Sequence, residues 1–329
     1  MFTKLKDLKQ NESFMRYFKN SSWMLAEYAL KIISAIFVSI YVARYLGPEQ
    51  FGILSYALAI VSIFMAVTRL GMESILVRDI AKFPDQAKAY MGTAFGLMVI
   101  AAVAGLVILS MLIYFFESDA QTKIYIWIIT TGLLFQTLLV IDYGFQAQVK
   151  AKYSSIAKSI ALVISSNIKI YLVWIQADLQ AFAIAYAADY FIIAVMLLSM
   201  YLYQKQVRFW FSFNKSLVRP LLISAWPMVL SAAASMLYMR IDQLMIKNML
   251  DAHELGLYSA ATRIYEGWVI VPYVISISLM PAIVKLKSSS LKQYEIQMTR
   301  LFALVFWPGV LVAIISTFFV PSHNQFKRT

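Results

Sequence analysis

An all-α polytopic membrane protein of about nine transmembrane helices is the fold class the sequence predicts, on three observations. Of its 329 residues, 61% are hydrophobic and only 14% are charged, and the mean hydropathy is +0.70. Soluble domains run at roughly 45–50% apolar and about 25% charged. The apolar residues gather into runs near the ~20 residues that a helix needs to cross ~30 Å of hydrocarbon. The 29 Lys and Arg residues alternate between those runs, dense on one side and sparse on the other.

The spans follow in order. The first, 22–43, carries Glu27 and Lys31; 51–68, 89–116 and 124–141 carry no charge. The fifth, 156–176, starts near Lys158 and holds Lys169, and the sixth, 179–204, holds Asp189. A seventh, 221–239, is clean; the eighth, 255–284, holds Arg263 and Glu266; the ninth, 301–320, is clean again. Twenty Lys and Arg, counting Lys158 at the edge of the fifth span with the loop before it, precede the first span or occupy every second loop, against six on the other side and three deeper within spans. That split places the N-terminus in the cytoplasm and the C-terminus outside. Residues 1–21 are polar and lead into no cleavage site, so the first span is expected to stay as an uncleaved helix.

Composition also excludes chemistry. With no cysteine there is no disulfide, thiolate metal site or cysteine nucleophile, and two histidines, His253 and His323, leave no imidazole cluster. No cofactor and no metal are expected. The formal charge of +12 is explained by topology, so nucleic acid is not needed as a partner. The loops are short, and function must reside within or beside the helices.

The chain repeats itself. Residues 43–57 read ARYLGPEQFGILSYA and residues 247–261 read KNMLDAHELGLYSAA. At an offset of 204, Leu46 meets Leu250, Phe51 meets Leu255, Gly52 meets Gly256, Ser55 meets Ser259 and Ala57 meets Ala261. An offset of six spans gives two halves of the same orientation, like parallel repeats that rock against each other in transporters. The expected organisation is a six-helix lobe over 1–210 and a second lobe over 211–329 with three helices. Three further helices are expected for a full repeat, so the sequence reads as C-terminally truncated.

Several stretches carry a family resemblance. YVARYLGPEQFGILSYA, RLGMESILVRDIAK, DYGFQAQVKAKY, MRIDQLMIKNML and YSAATRIYEGW resemble signatures of bacterial O-antigen and capsule repeat-unit flippases. These form the polysaccharide-exporter branch of the multidrug/oligosaccharidyl-lipid/polysaccharide exporter superfamily, and the resemblance covers about residues 12–320. It implies twelve helices in two lobes around a central cavity. It implies transport, not catalysis: undecaprenyl-pyrophosphate-linked oligosaccharide passes from the cytoplasmic to the periplasmic leaflet of the inner membrane. A polysaccharide polymerase and a chain-length regulator are the protein partners expected with it, beside the lipid-linked oligosaccharide and the bilayer.

Charges inside a bilayer cost ~2.5–3.5 kcal/mol each on insertion scales, so they face a cavity or a partner. Glu27 and Lys31, four apart, share one helix face and can pair; Lys31 can otherwise face the cavity. Arg263 and Glu266 allow the same two readings. Arg240 and Asp242, two apart, point to different faces and are expected in inter-helix or headgroup contacts. Lys169 has no carboxylate within four residues. Arg69 and Arg78 are expected only to set topology. A pyrophosphate crossing a low-dielectric region would need Lys or Arg donors, which makes Lys31, Lys169 and Arg263 the leading candidates. Pro272 and Pro281 with Gly267, and likewise Pro227 and Pro308, could loosen their helices.

Three rivals remain open. A multidrug-type exporter would want acidic cavity residues for cationic drugs. A membrane enzyme acting on polyprenyl-linked sugars would want a large outer loop or clustered carboxylates, whereas Glu117 and Asp119 are the only close acidic pair in an outer loop. An inactive truncated flippase is the third.

Overall fold

The computed structural model describes residues 12–206, 208–263, 266 and 291–319, and there the regular structure is all helical. It divides into two compact units, Met1–Ile264 and Tyr265–Thr329. Six helices among the described residues are long and apolar enough to cross a membrane.

In the first unit, spans one and two are two helical limbs, together labelled α1, Glu12–Thr68, that meet at a kink. It is broken at Gly47, with φ 71° and ψ 170°, beside Pro48. Glycine tolerates that φ, and proline has no N–H to continue the helical ladder, so the chain turns there. Leu70 and Gly71 are both left-handed and end the second limb. The amphipathic α2, Met72–Lys82, follows, burying Met72, Ile75, Leu76 and Ile80 along one stripe. Next comes α3, Ala87–Phe116, whose 30 residues at ~1.5 Å each exceed the hydrocarbon thickness.

The fourth span is interrupted. It consists of α4, Ala120–Thr130, a short α5, Gly132–Phe135, a 3₁₀ turn at Gln136–Leu139, and α6, Val140–Ala147. Asp119 caps α4, accepting from the Thr122 N–H at 2.9 Å and from its hydroxyl at 2.5 Å. Those two bonds to the ionised form hold the Asp119 carboxyl below its ordinary value. Then come α7, Ala151–Trp174, and α8, Leu179–Tyr203.

Register follows from the polar contacts. The Ala151 N–H donates to Asn20 at 2.7 Å, Ser34 meets Ser166 at 2.6 Å, and the Tyr45 hydroxyl donates to the Ala177 carbonyl at 2.8 Å. An offset that stays near 132 residues means that the first limb of α1 runs parallel to α7. Along α3, Gly144 lies against Met91 and Leu133 near Gly105, so α3 and the broken span run antiparallel. One end of this bundle therefore gathers residues near 20, 70, 90 and 150, and the other gathers residues near 45, 117 and 177. Two apolar cores fill it: one around Met72, Met91, Phe145 and Phe209, the other around Leu54, Ile126, Phe182 and Leu255.

Two further helices pack on α1: α9, Lys215–Met249, and α10, 252–263. The contact uses the repeat itself. A Cβ on Gly52 would stand 1.8 Å from the Ala252 carbonyl oxygen, and one on Gly256 would stand 1.8 Å from the Pro48 carbonyl oxygen. Phe51 and Leu255 are buried beside them, as are Ser55 and Ser259.

In the second unit, α11, Leu291–Phe319, covers most of the expected ninth span and contains Pro308. Most of the eighth span, with Gly267, Pro272 and Pro281, lies outside the described residues.

Candidate functional site

A cavity of about 360 Å³ lies within the first unit, toward the end that holds residues near 20, 70 and 150. Its wall includes Glu27 and Lys31 of α1, Arg69 just beyond it, Glu73 of α2, Gln136 and Asp142 of the broken span, Lys158 and Ser165 of α7, and Asp189 and Tyr190 of α8. At the other end the Tyr45 hydroxyl bonds Ala177, and its ring packs 5.7 Å from that of Phe182.

Lys158 is the centre of one ionic group. Its Nζ stands 3.0 Å from Glu27 Oε1 and 2.9 Å from Asp142 Oδ2. Both carboxylates are buried, and Glu27 Oε2 and Asp142 Oδ1 have no hydrogen-bond partner among the described residues. Buried charges persist only when paired, and here one ammonium serves two carboxylates. The Glu27–Lys31 pair allowed by helix spacing is not the one that forms, because Lys158 on α7 holds Glu27.

Lys169 belongs to a second group. Its Nζ lies 2.5 Å from Asp189 Oδ2 and 3.2 Å from Ser165 Oγ, over the Tyr186 ring at 4.1 Å from the centroid. Ser165 donates to the other Asp189 oxygen. Lys169 is buried and is not on the cavity wall, whereas Ser165 and Asp189 are. The sequence offered no carboxylate within four residues; the partner comes from the neighbouring helix, 20 residues on.

Arg69 belongs to the wall and does more than set topology. Its Nε donates to Gln136 Oε1 at 3.1 Å, while Gln136 Nε2 donates to Thr68 Oγ1 at 2.5 Å. Neither Lys31 nor Arg69 has a carboxylate within salt-bridge distance among the described residues, although both line the cavity. Two cations with donors to spare on one wall suit an anionic oxygen-rich group.

The remaining candidates lie elsewhere. Asp242 on α9 accepts from the Tyr258 hydroxyl on α10. Arg240 is half-buried on α9, and Arg263 is half-buried at the end of α10. Glu266 falls in the second unit. Sequence reasoning took Arg69 for a topology signal and Lys158 for a span-end charge, and passed over Asp142 and Gln136. Three of them sit at span ends, where charge and amide groups read as loop polarity. Asp142 opens DYGFQAQVKAKY and Arg69 opens RLGMESILVRDIAK, two of the stretches that carry the resemblance.

A membrane-spanning helical bundle with a charged internal cavity is the class that fold and site define. The family described as "Polysaccharide biosynthesis protein" matches residues 17–287, and the chain belongs to it. A curated Shigella flexneri protein named "Putative O-antigen transporter" is 24% identical over 320 residues, covering 92% of this chain and 74% of that protein. No solved structure matches the chain. Of family and relative, it is the relative's name that speaks of transport.

Proposed function

We propose that this protein moves undecaprenyl-pyrophosphate-linked O-antigen or capsular repeat units from the cytoplasmic to the periplasmic leaflet of the bacterial inner membrane. The cavity wall carries the reading: Lys31 and Arg69 face one space with no salt-bridge partner among the described residues, in a chain of a polysaccharide biosynthesis family. A diphosphate leaving the headgroup region must replace hydration with fixed donors, and a Lys beside an Arg supplies them. Movement would be by alternating access, with 1–210 as one lobe and 211–329 contributing to another. The dense Lys and Arg side faces the cytoplasm in this reading, as does the N-terminus. A polymerase and a chain-length regulator would receive the product.

The test is export of lipid-linked oligosaccharide in cells without their own flippase, in a version of the protein that restores export. Lys31→Gln and Arg69→Gln should each lower periplasmic oligosaccharide several-fold at unchanged protein level. Lys169→Gln should act through protein level instead. Unchanged export in both Lys31→Gln and Arg69→Gln would remove the cavity from the substrate path.

A further inference from the structure

Gln136 sits at the break of the fourth span, on the 3₁₀ turn between α5 and α6, and is buried at 2% exposure. A break in a membrane helix is tolerated where the freed groups face a cavity or find partners. Here the break coincides with the wall that carries Arg69. Tyr190 packs on Gly132, where a Cβ would come 2.6 Å from its ring, so the interruption is held by packing.

The hydrogen bonds around Gln136 have one consistent direction. The Thr68 hydroxyl donates to the Phe64 carbonyl at 2.9 Å, so its oxygen is left to accept. The Gln136 amide must then present its NH₂ to Thr68 and its carbonyl oxygen to Arg69, as observed at 2.5 Å and 3.1 Å. Arg69 spends only Nε on this contact, and no bond to either Nη group is present among the described residues. A guanidinium fixed through Nε keeps its forked edge for a bidentate oxyanion. A carboxylate at 136 would hold Arg69 as well, but would neutralise it. An amide holds it and leaves the charge.

We propose that Gln136 is a positioning residue: through Thr68 and the helix break it fixes Arg69 so that both Nη groups face the cavity as an oxyanion receptor. The inference rests on the proposed anionic headgroup and names a residue that acts on it only through Arg69.

Inorganic pyrophosphate is the probe, titrated calorimetrically into the purified full chain in detergent, with thermal unfolding as a control. Arg69→Gln and Gln136→Leu should each weaken binding about tenfold, the size of one charge-assisted hydrogen bond. The Arg69→Gln/Gln136→Leu double variant should bind no more weakly than Arg69→Gln alone, because Gln136 has nothing left to aim. In Gln136→Glu the guanidinium stays anchored but neutralised. That variant should lose binding while still unfolding cooperatively, the Thr68 hydroxyl turning from the Phe64 carbonyl to the new carboxylate, which covers the case in which the leucine variant fails to fold. Additive losses in the double variant would overturn the proposal, as would wild-type affinity in Gln136→Leu or Gln136→Glu. Wild-type affinity in Arg69→Gln would instead sink the anion-site reading, and it is seen in a chain whose Gln136 is intact.

Discussion

Gly52 and Gly256, 204 residues apart, hold two helices at backbone contact. Each points its missing side chain at the carbonyl of the residue four before the other, Ala252 and Pro48. The relation is reciprocal, so the repeat seen in sequence is a local two-fold in space. Small residues at a membrane crossing let backbones approach, and the approach itself supplies the packing energy.

Alanine at either glycine should therefore destabilise the crossing. In a helix, Gly→Ala ordinarily gains about 1 kcal/mol. A Cβ 1.8 Å from a carbonyl oxygen reverses that sign, because the obstacle is backbone and cannot rotate away. Overpacking of this kind costs typically 1–3 kcal/mol. Gly52→Ala and Gly256→Ala should both lower the melting temperature of the purified protein; a rise in either would refute the contact.

Ser55 and Ser259 give the opposite expectation. Both hydroxyls are buried at this crossing without a hydrogen-bond partner among the described residues. Removing an unsatisfied buried hydroxyl is neutral or favourable. The Ser55→Ala/Ser259→Ala double variant should melt at or above the wild type, measured beside the glycine variants.

Lys158→Met should be strongly destabilising. It would leave Glu27 and Asp142 buried at 8% and 5% exposure with no cation between them. Removing one partner of a buried pair costs about 3–5 kcal/mol, and the lower end applies because Lys158 is itself partly open to the cavity. Adding Glu27→Gln and Asp142→Asn to Lys158→Met should recover much of the loss. A fall in melting temperature no larger for Lys158→Met than for the triple variant would contradict the network.

Lys169 and Asp189 should behave as one unit. Lys169→Met or Asp189→Asn alone orphans the other, whereas the double variant removes the charge pair together. A double-mutant cycle on thermal unfolding should give a coupling of about 1 kcal/mol or more. Additive effects would contradict the pairing.

The Asp119 cap carries a pH signature. Its carboxyl is held below its ordinary value, so the cap contributes stability above that ordinary value and loses it as pH falls through the depressed one. Asp119→Ala should cost about 1 kcal/mol near neutral pH. The gap between variant and wild type should close in strong acid; a gap independent of pH would assign the loss to something other than the charged cap.

Much of this molecule was legible in one dimension because the bilayer imposes one-dimensional rules. Apolar run length, the alternation of Lys and Arg, and the 204-residue offset need no contact to be read, and they carry the helical membrane class and the repeat; the family resemblance lies in short stretches such as DYGFQAQVKAKY. Helix spacing also exposed which spans carry charge. It could not say which way those charges turn. Glu27 had Lys31 four residues away and pairs instead with Lys158, 131 residues on, because the azimuth of each helix is set by the neighbours it packs against. The same holds for Lys169 and Asp189, and for Arg69, whose partner Gln136 comes from another span. Local patterns determine that a helix forms and crosses; only the packing of α1, α7, α8 and the broken span decides which polar groups are neutralised and which are left facing the cavity.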